Sequence, residues 1–140
     1  MGYNISMATE YVIDGSRITS LETFYDEISR VLIPGDQWGR NLDALDDVLS
    51  GGFGTPDEGF TPKWSHSTAS KEKLGYPETV RQLELRLERC HPSNREDVRR
   101  KLSDARAGVG ATVFDWLVEI IGDHCPGGEQ AADNVCLVLD

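Results

Sequence analysis

Long hydrophobic runs are missing from this chain. No segment approaches the ~18 apolar residues of a membrane-spanning helix. Residues 1–10 have neither the basic start nor the apolar stretch of a secretory leader. Met1-Gly2-Tyr3-Asn4-Ile5-Ser6 fits a loose myristoylation pattern, and a plain N-terminal extension over residues 1–10 is the simpler reading. Cysteine is scarce. Cys90, Cys125 and Cys136 are an odd number for a disulfide framework, which suits a reducing, cytoplasmic setting. Cys136 lies in an apolar segment and reads as a small core residue.

Positive charge is in deficit. There are 14 Lys and Arg against 24 Asp and Glu, a formal net charge of −10. An acidic body repels phosphates, which excludes direct nucleic-acid binding as a leading function. It favours a basic partner, and its field would speed encounter at low salt. The deficit is uneven, because residues 81–106 hold more Lys and Arg than Asp and Glu.

Catalytic motifs are missing too. Gly51 to Gly54 lack the Gly-Lys-Ser/Thr ending of a phosphate loop. Cys90-His91 and His124-Cys125 match no compact zinc spacing. His66 stands between two serines with no orienting acid nearby. Asp43, Asp46 and Asp47 form a splayed row on one helix face, whereas hard cations need convergent oxygens from several segments. The sequence therefore assigns no catalytic residue, no metal ligand and no cofactor.

What is present is an ordinary globular mix, 39% hydrophobic and 27% charged, long enough for one domain with a real core. Tyr11-Val12-Ile13 reads as a short strand and Asp14-Gly15 as a turn. Thr19 with Glu22 resembles a capping box, and Leu21, Phe24, Tyr25, Ile28 and Leu32 predict a helix over 20–32. Residues 51–62, rich in glycine and proline, predict a loop. Pro77 fits the first turn of a helix running to about Arg89. Ser93 and Glu96 predict the cap of the next helix, and Thr112 with Asp115 that of a third. Val135 to Leu139 predicts a strand covered on both faces. Strands separated by helices predict an α/β fold with a small parallel sheet.

The densest signal is Gln37 to Asp47. Asn41 is a good N-cap, and Leu42, Leu45 and Leu49 recur on one face. Asp43, Asp46, Asp47 and Ser50 fall opposite, and Gly51-Gly52 can end the helix. Like charges this close repel. A cationic partner would relieve the repulsion; a solvated acidic face is the alternative.

Trp38-Gly39-Arg40-Asn41-Leu42-Asp43-Ala44-Leu45-Asp46-Asp47-Val48-Leu49 resembles the signature of the barstar family, inhibitors of secreted bacterial ribonucleases. Tyr11 to Gly15 resembles that family's first strand and turn, and Val135 to Leu139 its last strand. The resemblance covers roughly residues 11–66 and 112–140, with about 75–111 as two inserted helices expected to cover the sheet edge. It implies an α/β fold with a small three-stranded parallel sheet flanked by helices, and a strand near Lys63 to His66.

It also implies a mechanism. The inhibitor plugs the active site of a secreted, guanyl-specific microbial ribonuclease, one to one, with carboxylates in place of RNA phosphates. Asp47 matches the family's central acid and Asp43 a second contact acid, with Asn41, Leu42 and Ala44 at the rim. Gln37 replaces an aromatic and Asp46 a tryptophan; Phe53 could serve as an aromatic of the following loop. Trp38, Ser50 and Gly51 are further expected contacts in and beside the helix, with packing in the core or as a staple the alternative for Trp38, while Glu119 and Asp123 align with acids of the family's last helix. The rival readings are an immunity module against another basic toxin or nuclease, and a small metal-dependent hydrolase.

Overall fold

The computed structural model describes residues 9–140. The Met1–Ser6 pattern and most of the expected extension lie outside these residues, and Thr9 and Glu10 already belong to a strand. Three parallel strands form one sheet in the order β1 (Thr9–Asp14), β2 (Phe60–Ser65), β3 (Val138–Leu139). Between β1 and β2 lie α1 (Leu21–Leu32) and α2 (Leu42–Ser50). Between β2 and β3 lie α3 (Ser67–Lys73), α4 (Tyr76–Arg89), α5 (Arg95–Arg106) and α6 (Val113–Asp123). Among the described residues no helix is long and apolar enough to cross a membrane.

Strand β2 starts earlier than its sequence suggests. Phe60, Pro62 and Trp64 are buried while Thr61, Lys63 and Ser65 alternate outward, the pattern of a half-buried strand. Pro62 is tolerated in this central strand for a specific reason. The carbonyls of Phe60 and Trp64 accept from Cys136 and Asp140, so the Pro62 nitrogen faces β3 as well. There the pairing lapses between the Val135 bridge and Val138, so the missing N–H breaks no bond. The expected loop therefore ends before Phe60.

Strand β3 departs from expectation in the opposite sense. Apart from the isolated Val135 bridge, only Val138 and Leu139 pair, both exposed, because they form the sheet's edge rather than a strand covered on both faces. Val135 alone of that run is fully buried, and Cys136 is half-buried rather than a core residue.

Two capping boxes shift. Thr23 Oγ1 accepts from the backbone of both Thr19 and Ser20, and Ser20 Oγ accepts from Thr23 N, so Ser20 caps α1. This leaves Glu22 free to pair with Arg81 and Gln82 of α4. At α5, His91 Nδ1 takes the Ser93 N–H at 3.1 Å, and the helix starts after Asn94 with no side-chain cap. The Thr112–Asp115 box forms as expected.

Gly15 must be glycine, since a Cβ there would run into the carbonyls of Ser65 and His66. The main core gathers Ile13, Phe24, Ile28, Leu45, Val48, Phe60, Trp64, Leu117 and Ile121. Helices α4 and α5 pair over a second, smaller core of Leu83, Val98, Leu102 and Ala105. Trp116 of α6 touches both cores, with Arg86 stacked over its ring at 5.0 Å. The α4–α5 pair is thus anchored to α6 and the start of α1, where the sequence had suggested the sheet edge.

Glu78 is the joint between α4 and α1. It is 7% exposed, accepts the Leu21 N–H at 2.9 Å and is held by Arg81 and Gln82. Burial pushes its carboxyl up, but Arg81, the Leu21 amide and Gln82 outweigh that and hold it below the ordinary value of 4.5. A depressed folded value means stabilisation that is present above pH 4.5 and lost as pH falls below it. Glu78→Gln should therefore lower stability at neutral pH and flatten the acid limb of the unfolding curve. Urea titrations between pH 3 and 7 check this; an unchanged acid limb contradicts it.

Candidate functional site

Helix α2 is built as the sequence suggests. Asn41 Oδ1 accepts the Ala44 N–H at 2.8 Å, and Gly51, at φ +105°, ends the helix. Arg40, at φ +52°, turns the chain into the cap, and its guanidinium pairs with Asp26 at 2.5 Å. Asn41→Ala should cost about 1 kcal/mol of stability, read as a lower urea midpoint. No loss would mean the cap is replaceable by water.

The helix presents three seams. Leu45, Val48 and Leu49 are buried in the main core, with Leu42 and Ala44 half-buried beside them. Asp43 and Asp47, four residues apart, are exposed on a second seam. Among the described residues neither takes part in an ion pair or a side-chain hydrogen bond. Asp46 and Ser50, also four apart, form a third seam that is tied inward.

That inward tie centres on His124, fully buried at the C-terminal end of α6. Its Nε2 lies 2.7 Å from Asp46 Oδ1, and its Nδ1 lies 2.6 Å from Asp133 Oδ2. Gln130 Nε2 donates to the same Asp46 oxygen at 3.1 Å, and Ser50 Oγ donates to Asp133 at 3.1 Å. Asp46 keeps 43% of its side chain exposed. The histidine nitrogens and carboxylate oxygens are occupied with one another. Among the described residues no group of three or more His, Cys, Asp and Glu is placed to hold a metal ion. Cys125, next to His124, turns its thiol to the Ile121 carbonyl.

The remaining expected contacts are scattered in burial. Gln37 is exposed. Trp38 is half-buried, edge-on to Tyr25 at 5.6 Å, and its Nε1 donates to Ser29 Oγ at 2.7 Å. Burial, helped by the nearby Glu22 charge, pushes the Tyr25 hydroxyl up to about 12, so this wall stays neutral. Gly51 is half-exposed, and Phe53 packs its ring on the main core. Helix α6 packs beside α2, with Glu119 exposed and Asp123 half-buried.

The sequence model of the family described as Barstar (barnase inhibitor) matches residues 8–107. The chain belongs to the barstar family. The barstar match spans β1 through α5, including the whole of α2 and the residues read as inserted helices, and stops before α6 and β3. No curated protein matches the chain. The three-stranded parallel sheet with six helices agrees with a barstar-like α/β fold.

His124 is the site residue that sequence reasoning missed, yet a signal for it existed. Phe114, Leu117, Ile121 and His124 continue one helical stripe, so the histidine belongs to the buried face.

Proposed function

We propose that this chain inhibits a secreted, guanyl-specific microbial ribonuclease by setting α2 into the enzyme's RNA-binding cleft, one to one, in the cytoplasm of the producing cell. The observation that carries this reading is the open seam of Asp43 and Asp47. Two carboxylates project from a capped, core-anchored helix and engage no side chain among the described residues. A nuclease cleft lined with Arg, Lys and His would supply the missing cations, as it does for phosphate oxygens. Asp47 is the anchor and Asp43 the second acid. Gln37, Asn41, Leu42, Ala44, Gly51 and Phe53 form the rim, Trp38 stiffens the approach to the helix, and Glu119 with Asp123 extends the acidic face from α6. Asp46 and Ser50 brace the helix from behind. Family membership supports the class of partner, and the three free cysteines suit a reducing compartment.

The test is a titration of the purified chain into RNA-cleavage assays with several microbial guanyl-specific ribonucleases. Near-stoichiometric suppression of at least one, with association slowing as salt rises, is the expected result. No suppression of any would overturn the assignment, and capture of a nuclease of another fold would replace it with the immunity-module reading.

A further inference from the structure

The ring of polar groups around His124 carries more than a structural tie. Both imidazole nitrogens face carboxylate oxygens, at 2.7 and 2.6 Å. A neutral imidazole has one N–H; its other nitrogen would turn a lone pair on an anion at that distance. The oxygens that face the ring already accept elsewhere, Asp46 Oδ1 from the Gln130 amide and Asp133 Oδ2 from the Ser50 hydroxyl. They act as acceptors, so the proton belongs on the ring. His124 is also the C-cap of α6, where the helix carbonyls favour a cation. The charged groups that face it are Asp46 from α2 and Asp133 from the 3-10 turn at Ala131–Asp133; Gln130 and Ser50 complete the ring uncharged.

We infer that His124 is a buried imidazolium that acts as a positioning residue for the contact helix. It neutralises Asp46 from inside, the one acid of the row that is bonded to other elements among the described residues. Repulsion along α2 then falls to the Asp43–Asp47 pair, which is left for the partner. The same cation pins α2 to the C-terminal segment, since Asp46 and Ser50 each reach a residue of 124–133. The partner sees two free carboxylates on a fixed rod instead of three on a loose one. This inference rests on the reading of α2 as the contact helix for its functional half, and stands alone for the protonation state.

Two measurements separate those halves. Long-range proton–nitrogen correlation NMR on the ¹⁵N-labelled full chain should show both ring nitrogens of His124 protonated at pH 7. A single-proton tautomer there would overturn the inference whatever the chain inhibits. Asp46→Asn keeps the accepting oxygen and removes the charge. If the native chain inhibits a ribonuclease, Asp46→Asn and His124→Gln should each raise the inhibition constant about fivefold or more. Native-like inhibition by both variants across pH 5–9 would show that the cation does not position the helix. Should His124→Gln fail to fold, the Asp46→Asn arm and the NMR signature still decide.

Discussion

Asp47→Ala should weaken the ribonuclease complex by well over tenfold, more than about 1.4 kcal/mol, while leaving circular dichroism and the urea midpoint unchanged. The asymmetry follows from where this carboxylate stands. Asp47 is exposed and engages no group of its own chain among the described residues, so its removal disturbs no internal bond. Exposed side chains away from caps and networks contribute little to stability, typically within about 0.5 kcal/mol. In a cleft, the same group would be desolvated among cations, and deleting it would leave those cations buried and unpaired. Asp43→Ala should go the same way with a smaller loss, since it sits one turn nearer the solvent-exposed Asn41 cap. Inhibition titrations with each variant check the order. Equal inhibition by Asp47→Ala and the native chain would move the anchor elsewhere on the surface.

The contrast between Asp47 and Asp46 shows which parts of the site the sequence revealed. Helix α2 was legible because its signals are local: the Asn41 cap, the leucine spacing and the glycine stop all lie within about three turns. The division of its acids into a free seam and a tied seam was not legible. Asp46 finds His124 from 78 residues away, and no periodicity reports a contact at that separation. The strands show the same limit. β2 looked like loop because Pro62 falls where a break in the β2–β3 pairing makes its lost N–H harmless, a fact of register and not of composition. β3 looked fully covered because an unbroken apolar run cannot say whether it ends inside the sheet or at its edge. The shifted caps at α1 and α5 were contests between neighbouring hydroxyls and a histidine that only the folded geometry decides.

Trp64→Ala should be the most destabilising single change in the main core, by about 3–5 kcal/mol. Trp64 is fully buried in the middle strand, with Phe24 of α1 at 5.3 Å on one side and Phe114 of α6 at 5.1 Å on the other. Its Nε1 donates to Ser70 Oγ at 2.9 Å, and that hydroxyl donates onward to the Gly15 carbonyl at 2.9 Å. Truncation would empty the space between two helices and the sheet, and a rigid sheet cannot collapse to fill it. It would also leave the Ser70 oxygen without its donor in a dry site. A domain of this kind is stable by about 5–15 kcal/mol in total, so the loss is a large fraction. Urea unfolding should show the midpoint falling with little change in slope. Trp116→Ala gives the comparison: half-buried under Arg86 between the two cores, it should cost distinctly less. The functional consequence is separable from the stability one. α2 is seated by Leu45, Val48 and Leu49, so the fraction of Trp64→Ala that remains folded should inhibit as the native chain does. Folded but inactive protein would mean that the β2 core sets the pose of the acidic helix and does more than hold it in place.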